Sequence, residues 1–156
     1  DCRRLDRRAG DGGCPAALCF LSAHELSVRG YDGGTGEIIR HLWRLGASDD
    51  ILYAAAENMQ CGKLNNGLTY ASDKTRETLV VVGQTTTAAE LFNSVVHEID
   101  HACMFTFPLV GITPGTEEAA YFKGGLGREI FPMVQPYLCD CCRRKMGHKK
   151  GPNAGV

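Results

Sequence analysis

The chain has 156 residues, the length of one globular domain, and its 44% hydrophobic content can form a core without disulfide or metal cross-links. Its formal net charge of -1 argues against a protein that is basic throughout and built to neutralise a nucleic-acid backbone. No stretch approaches the roughly 18 consecutive apolar residues of a membrane span, so we expect no membrane partner.

The first third of the chain predicts a flexible start, one strand and two helices. Residues 1–14 are charged and rich in glycine, which is typical of a poorly ordered terminus. The apolar run over residues 15–22 suits a buried strand. Thr35 can cap a helix that runs to residue 45, and a second capped helix is expected over residues 49–60.

A β-hairpin is expected next. Residues 67–72 and 76–82 have the composition of strands, and Asp73-Lys74 between them supplies a turn. The second strand is largely apolar and strand-forming, so it should be buried. With the surrounding helices, these elements predict an α+β fold in which a short sheet with a hairpin packs against the helices that follow.

Two more helices are expected after the hairpin. The first covers residues 88–104, because Thr87 and Glu90 form a capping box at its start. The second begins near Thr116, and Pro132 and Pro136 should kink or segment it.

Residues 97–101 read His-Glu-Ile-Asp-His, the pattern of a single-zinc hydrolase helix. Histidines at this spacing lie one helical turn apart, so the imidazoles of His97 and His101 can reach one metal ion. Glu98 can then act as the general base toward a water molecule on that metal. The apolar residues of this helix, Phe92 and Val96 among them, fall on the opposite face and should pack on the core. Two solvated histidines on a polar face are the alternative interpretation.

A catalytic zinc ion also needs a third protein ligand. Glu117 and Glu118 are the best candidates, because they open the following helix after a short loop. An antiparallel return of that helix would bring its first turn near the motif. The alternative is that the acidic pair only compensates the helix dipole.

The stretch from Glu118 to Leu126, EAAYFKGGL, resembles the second helix of the ImmA/IrrE-type zinc peptidases. In that family a ligand Glu is followed by Ala, an aromatic residue, a small residue and Leu, and the matching residues here are Glu118, Ala119, Phe122, Gly124 and Leu126. The resemblance covers residues 48–131. It implies a compact zincin-like catalytic domain and selects Glu118 over Glu117 as the third ligand.

For a zinc metallopeptidase, the roles of the residues follow. His97, His101 and Glu118 would hold Zn2+, and Glu98 would move the proton of the attacking water to the leaving amine. Tyr121, one turn past Glu118, is a candidate donor to the oxyanion, with a core or rim aromatic as its alternative role. The substrate would be a protein or peptide. A non-catalytic, zinc-stabilised binding or regulatory module is the competing function.

Residues 139–156 form a basic tail rich in cysteine, which sets residues 15–138 apart as the predicted folded domain. Cys139, Cys142 and His148 give a weak signal for a structural metal or redox role, and a cysteine-rich helix end is the alternative. Such a tail is usually solvated, so nucleic-acid binding is not expected beyond a weak contact. The chain is no tiny disulfide scaffold and shows no signal segment before its cysteines, which favours a reducing, cytoplasmic location.

Overall fold

The computed structural model of the chain describes residues 16–22, 27–58, 67–83, 87–138 and Arg144. These residues form four strands, four α-helices and a short 3-10 helix, so the predicted α+β class is confirmed. Among the helices described, none is both long and apolar enough to cross a membrane. The predicted N-terminal segment and, apart from Arg144, the cysteine-rich tail lie outside the described residues.

The strands form one antiparallel sheet in the order β2-β1-β4-β3. Strand β4 lies between β1 and β3, which leaves β2 and β3 at the edges. Their bounds are β1 Ala16–Ser22, β2 Ser27–Gly33, β3 Gly67–Ser72 and β4 Glu77–Gly83. The predicted first strand and hairpin are therefore confirmed.

Strand β4 is the centre of the core, because helices cover both of its faces. Its side chains from Leu79 to Val82 are at most 3% exposed. Val80 and Val82 pack with the last two helices, whereas Leu79 and Val81 pack with the first two. Neighbouring residues of a strand point to opposite faces, so a run of apolar residues here serves two layers of helices.

The first helical layer contains α1, Thr35–Arg44, and α2, Asp49–Asn58. Both helices were expected, although the predicted residues 59–60 of the second lie outside the described part of the chain. Gly34, not Thr35, is the N-cap of α1, and it makes no side-chain cap hydrogen bond. Thr35 is instead the first helical residue.

The helix α3 spans Ala88–Val110 and begins as expected, with the Thr87 hydroxyl accepting a hydrogen bond from the Glu90 N–H. The predicted end near Met104 is wrong, because the helix continues through Pro108 to a left-handed Gly111. Phe107 explains the extension: its side chain is 1% exposed and packs against Phe122 of the next helix. Burial of this aromatic side chain stabilises the extra turns.

The helix α4 spans Glu117–Val134, and the Thr116 hydroxyl caps it by accepting from the Ala119 N–H. The segmentation expected at Pro132 is wrong, because the α-helix continues through it, with Ile130 and Val134 buried on either side. At Gln135 the α-helix gives way to the 3-10 helix Gln135–Tyr137, which contains Pro136, so the segmentation expected there is confirmed.

Strand β2 was not expected, because its glycines and Asp32 are typical of loops. The structure gives Gly30 a different role. A Cβ atom at Gly30 would come within 2.6 Å of the Met133 sulfur on α4, so glycine permits close packing of the helix on the strand.

Helices α3 and α4 pack antiparallel to each other. Later residues of α4 meet earlier residues of α3: Phe122 contacts Phe107, Lys123 contacts Asp100, and Gly127 lies by Ile99. This order decides which α4 residues lie near the His-Glu-Ile-Asp-His motif.

Candidate functional site

The two histidines of the motif lie on the exposed side of α3, one turn apart. The Nε2 atoms of His97 and His101 are 3.1 Å apart, and their ring planes are inclined at 86°. Two imidazole nitrogens that bind one tetrahedral zinc ion at about 2.05 Å lie about 3.3 Å apart. The pair therefore fits a shared metal ion with only small side-chain adjustments. The same separation suits a hydrogen bond between two neutral imidazoles.

The predicted third ligand does not join this pair in the structure. Glu117 and Glu118 occupy the first turn of α4, as expected, and both side chains are exposed. In the described part of the chain, no group of three or more His, Cys, Asp or Glu side chains is placed to hold a metal ion. The antiparallel packing explains this, because the first turn of α4 lies toward the end of α3 that contains Phe107.

Glu98 points toward the sheet, whereas the two histidines face the exposed side of α3. It is 5% exposed, and its Oε2 accepts a 2.6 Å hydrogen bond from the Thr69 hydroxyl on β3. The same hydroxyl lies 3.2 Å from the main-chain oxygen of Glu98. A buried carboxylate needs such partners, so Thr69 fixes the side chain of the predicted general base.

Gly67, two residues before Thr69, makes room for this carboxylate. A Cβ atom at Gly67 would lie 2.6 Å from the Glu98 Cγ, closer than real side chains approach each other. Sequence reasoning missed both β3 residues. A glycine inside a strand is a signal of close approach by another group, and alternate residues of a strand share one face. Those two rules together could have found Gly67 and Thr69.

An ion pair joins the two helices beside the histidines. Lys123 of α4 donates a hydrogen bond to Asp100 of α3. This hydrogen bond and the lysine charge lower the pKa of the Asp100 carboxyl, and the same bond raises the pKa of the Lys123 ammonium. Because both side chains are partly exposed, the pair adds little net stability and mainly orients the helices.

Tyr121 and Cys103, two further residues near the motif, differ in exposure: the first is exposed and the second is buried. Tyr121, the predicted oxyanion donor, is 79% exposed on α4, and its role stays a prediction. Cys103 is fully buried in the core, and desolvation raises the pKa of its thiol to about 11. The thiol therefore stays protonated near neutral pH and packs as a small apolar group.

A groove of about 750 Å³ lies between α3 and α4 and is lined on α3 by residues from Phe92 to Asp100, His97 among them. Phe92, Val96 and Phe131 line its apolar part, and Gly124 lies where α4 borders it. The first three side chains are 70%, 48% and 40% exposed. The expectation that Phe92 and Val96 pack on the core is therefore wrong, since both side chains face the open groove.

Comparison with known proteins identifies no relative: no family model, no curated protein and no solved structure matches the chain. The resemblance of residues 118–126 to the ImmA/IrrE-type peptidases stays a prediction from those residues. The function must therefore be inferred from the geometry of the site.

Proposed function

We propose that this chain is a zinc-dependent hydrolase of amide bonds, a metallopeptidase that acts on a protein or peptide. The observation that carries the proposal is the 3.1 Å separation of the His97 and His101 Nε2 atoms. Glu98 follows His97 in the chain, and its carboxylate is buried against β3. Two neutral imidazoles and a nearby carboxylate are the donor set that zinc hydrolases use.

The protein's own residues would take separate roles in amide hydrolysis. A zinc ion held by the pair would supply a Lewis acid and would lower the pKa of a bound water molecule to about 7. Glu98 accepts a proton from the attacking water and returns it to the leaving amine. Thr69 and Gly67 are positioning residues that hold the carboxylate.

For the third ligand we propose Glu118, on the resemblance described above. Its carboxylate is exposed in the first turn of α4, so ligation requires that turn to approach the histidines. Glu118→Gln should lower zinc affinity at least tenfold, whereas the neighbouring Glu117→Gln should leave it unchanged. Isothermal titration with zinc compares the two variants, and equal affinities would remove Glu118 from the ligand set.

Metal content is the first test of the function. Elemental analysis of the purified full chain and of the His97→Ala/His101→Ala variant should show about one zinc ion fewer per chain in the variant. The difference between the two proteins isolates the pair from any metal held by the cysteine-rich tail. Equal zinc content in two folded proteins would refute the proposed site.

The general base is tested separately. Glu98→Gln should retain zinc and lose turnover of an unstructured protein such as casein, because the amide cannot accept the proton. Undiminished turnover in that variant would exclude the proposed mechanism.

A non-catalytic, zinc-stabilised binding module is the second candidate. It is favoured by the burial of Glu98, whose hydrogen bond with Thr69 also serves to hold α3 on the sheet. In such a module the native chain would bind zinc at the pair and cleave no peptide. Glu98→Gln would then lower the free energy of unfolding and change nothing else.

A further inference from the structure

The groove between α3 and α4 gathers several exposed apolar side chains in one concave place. Large apolar side chains that are normally buried stand exposed along it, with Phe92 at 70%, Val96 at 48% and Phe131 at 40%. Exposed apolar residues that gather in one concave place, rather than singly, mark a binding site.

The groove is continuous with the candidate metal site, because His97 both lines it and belongs to the histidine pair. A peptide whose carbonyl lies at the pair would therefore place an adjacent side chain in the groove. The volume of about 750 Å³ lies in the range of ligand pockets and exceeds what one small side chain fills.

The charges at the groove also restrict what it can bind. Asp100 and Lys123 are the charged residues that line it, and they neutralise each other through their ion pair. A charged side chain that entered the apolar part would lose its hydration without gaining a partner. The groove therefore suits uncharged, apolar groups.

Gly124 leaves the groove open on the α4 side. A Cβ atom at Gly124 would meet no atom within 4 Å, so this space is available to a ligand. Gly125, the next residue, has the same open surroundings but does not line the groove. The two glycines form a matched pair for an experiment.

We propose that this groove is the specificity pocket of the hydrolase and takes a large apolar side chain, aromatic or branched aliphatic, beside the cleaved bond. The proposal rests on the function proposed above. Phe92, Val96 and Phe131 contact the bound side chain, and Gly124 determines how large that side chain can be.

The first experiment needs no metal. The zinc-free full chain is titrated with N-acetylphenylalaninamide and with N-acetylalaninamide, and amide chemical shifts are followed by NMR. We expect shifts at Val96, Gly124 and Gly127 with the phenylalanine compound and much weaker ones with the alanine compound. Gly124→Leu should weaken binding of the phenylalanine compound by about tenfold or more, since a single methylene group in an apolar pocket contributes that much, whereas Gly125→Leu should bind the compound like the native chain.

Neither substitution should endanger the fold, because leucine is a better helix former than glycine by roughly 1 kcal/mol. Circular dichroism spectra of both variants verify this. Equal binding by the native chain and Gly124→Leu would overturn the proposal. So would a native chain that dimerises through this face, with Gly124→Leu monomeric, since a second copy would then be the occupant.

The second experiment reads specificity from cleavage of a mixed peptide library by the zinc-loaded enzyme. Native enzyme should cut beside Phe, Leu, Ile or Met, and Gly124→Leu should shift the preference toward Ala, Gly or Ser. Cleavage without apolar preference would refute the proposed specificity pocket but would leave the proposed hydrolase function intact. A native chain that binds the phenylalanine compound but takes up no zinc at the pair when zinc is supplied would overturn both the proposed function and the pocket's role in it.

Discussion

The Thr69 hydroxyl on β3 donates a 2.6 Å hydrogen bond to the Glu98 carboxylate on α3, across 29 residues of sequence. This bond joins an edge strand of the sheet to the helix that carries the histidine pair. The predicted general base is therefore held by tertiary structure and not by its own helix.

Thr69→Val tests that bond, because valine keeps the shape of threonine and removes the donor. The buried carboxylate would lose a partner, so the free energy of unfolding should fall by about 1–3 kcal/mol. We expect kcat to fall about 10- to 100-fold with KM and zinc content little changed. Thr69→Ser retains the hydroxyl and should recover most of both losses. Failure of serine to rescue kcat would show that Thr69 acts only through packing.

Gly67→Ala tests the space that the carboxylate occupies. The new Cβ would lie 2.6 Å from the Glu98 Cγ, so the glutamate side chain must move out of its place. Turnover should fall at least as far as in Thr69→Val, while zinc content stays at the native level. Gly36→Ala is the control, since its Cβ meets nothing within 4 Å and lies in helix α1. Native turnover in Gly67→Ala would show that the position of Glu98 is not critical.

The two hydroxyl caps should each stabilise a helix measurably. Thr87→Ala and Thr116→Ala each remove an acceptor for a free N–H, at Glu90 and Ala119 respectively, and should cost about 1 kcal/mol. Urea denaturation followed by circular dichroism gives the free energies. Thr35→Ala provides a comparison without a cap, because Gly34 holds the N-cap position of α1. A loss at Thr35 as large as the other two would argue against capping as the cause.

Arg76 stabilises the fold through a side-chain hydrogen bond but holds its own backbone in a strained conformation, and two substitutions can separate these effects. Its φ of 54° is left-handed, and its Nη2 donates a 3.1 Å hydrogen bond to the Leu109 carbonyl near the end of α3. Arg76→Ala loses the hydrogen bond and keeps the backbone strain. Arg76→Gly loses the bond but relieves the strain, so it should be more stable than Arg76→Ala by about 1–2 kcal/mol in urea denaturation. Equal stabilities would mean that the turn relaxes when the side chain is lost.

Local signals in the sequence predicted much of the fold. The starts of α3 and α4 follow from Thr87 and Thr116, and the hairpin follows from a polar turn between apolar strands. These features depend on a few neighbouring residues. The His97 and His101 pair was predictable for the same reason, because helical spacing alone brings both imidazoles together.

The features that sequence reasoning missed depend on contacts between distant residues. The end of α3 depends on Phe107 meeting Phe122, and strand β2 depends on Gly30 fitting against Met133. The exposure of Phe92 depends on the groove that α3 forms with α4, which no helical pattern contains.

The position of β3 at the edge of the sheet has a consequence for how activity should respond to heat. An edge strand has a neighbour on one side only, and such strands open locally at lower free energy than central ones. Because Thr69 belongs to β3, each opening of that strand releases the Glu98 carboxylate. Catalysis should therefore decline on warming before the core around β4 melts, and it should return on cooling. Local opening of the edge strand would thus switch activity off reversibly at temperatures below global unfolding.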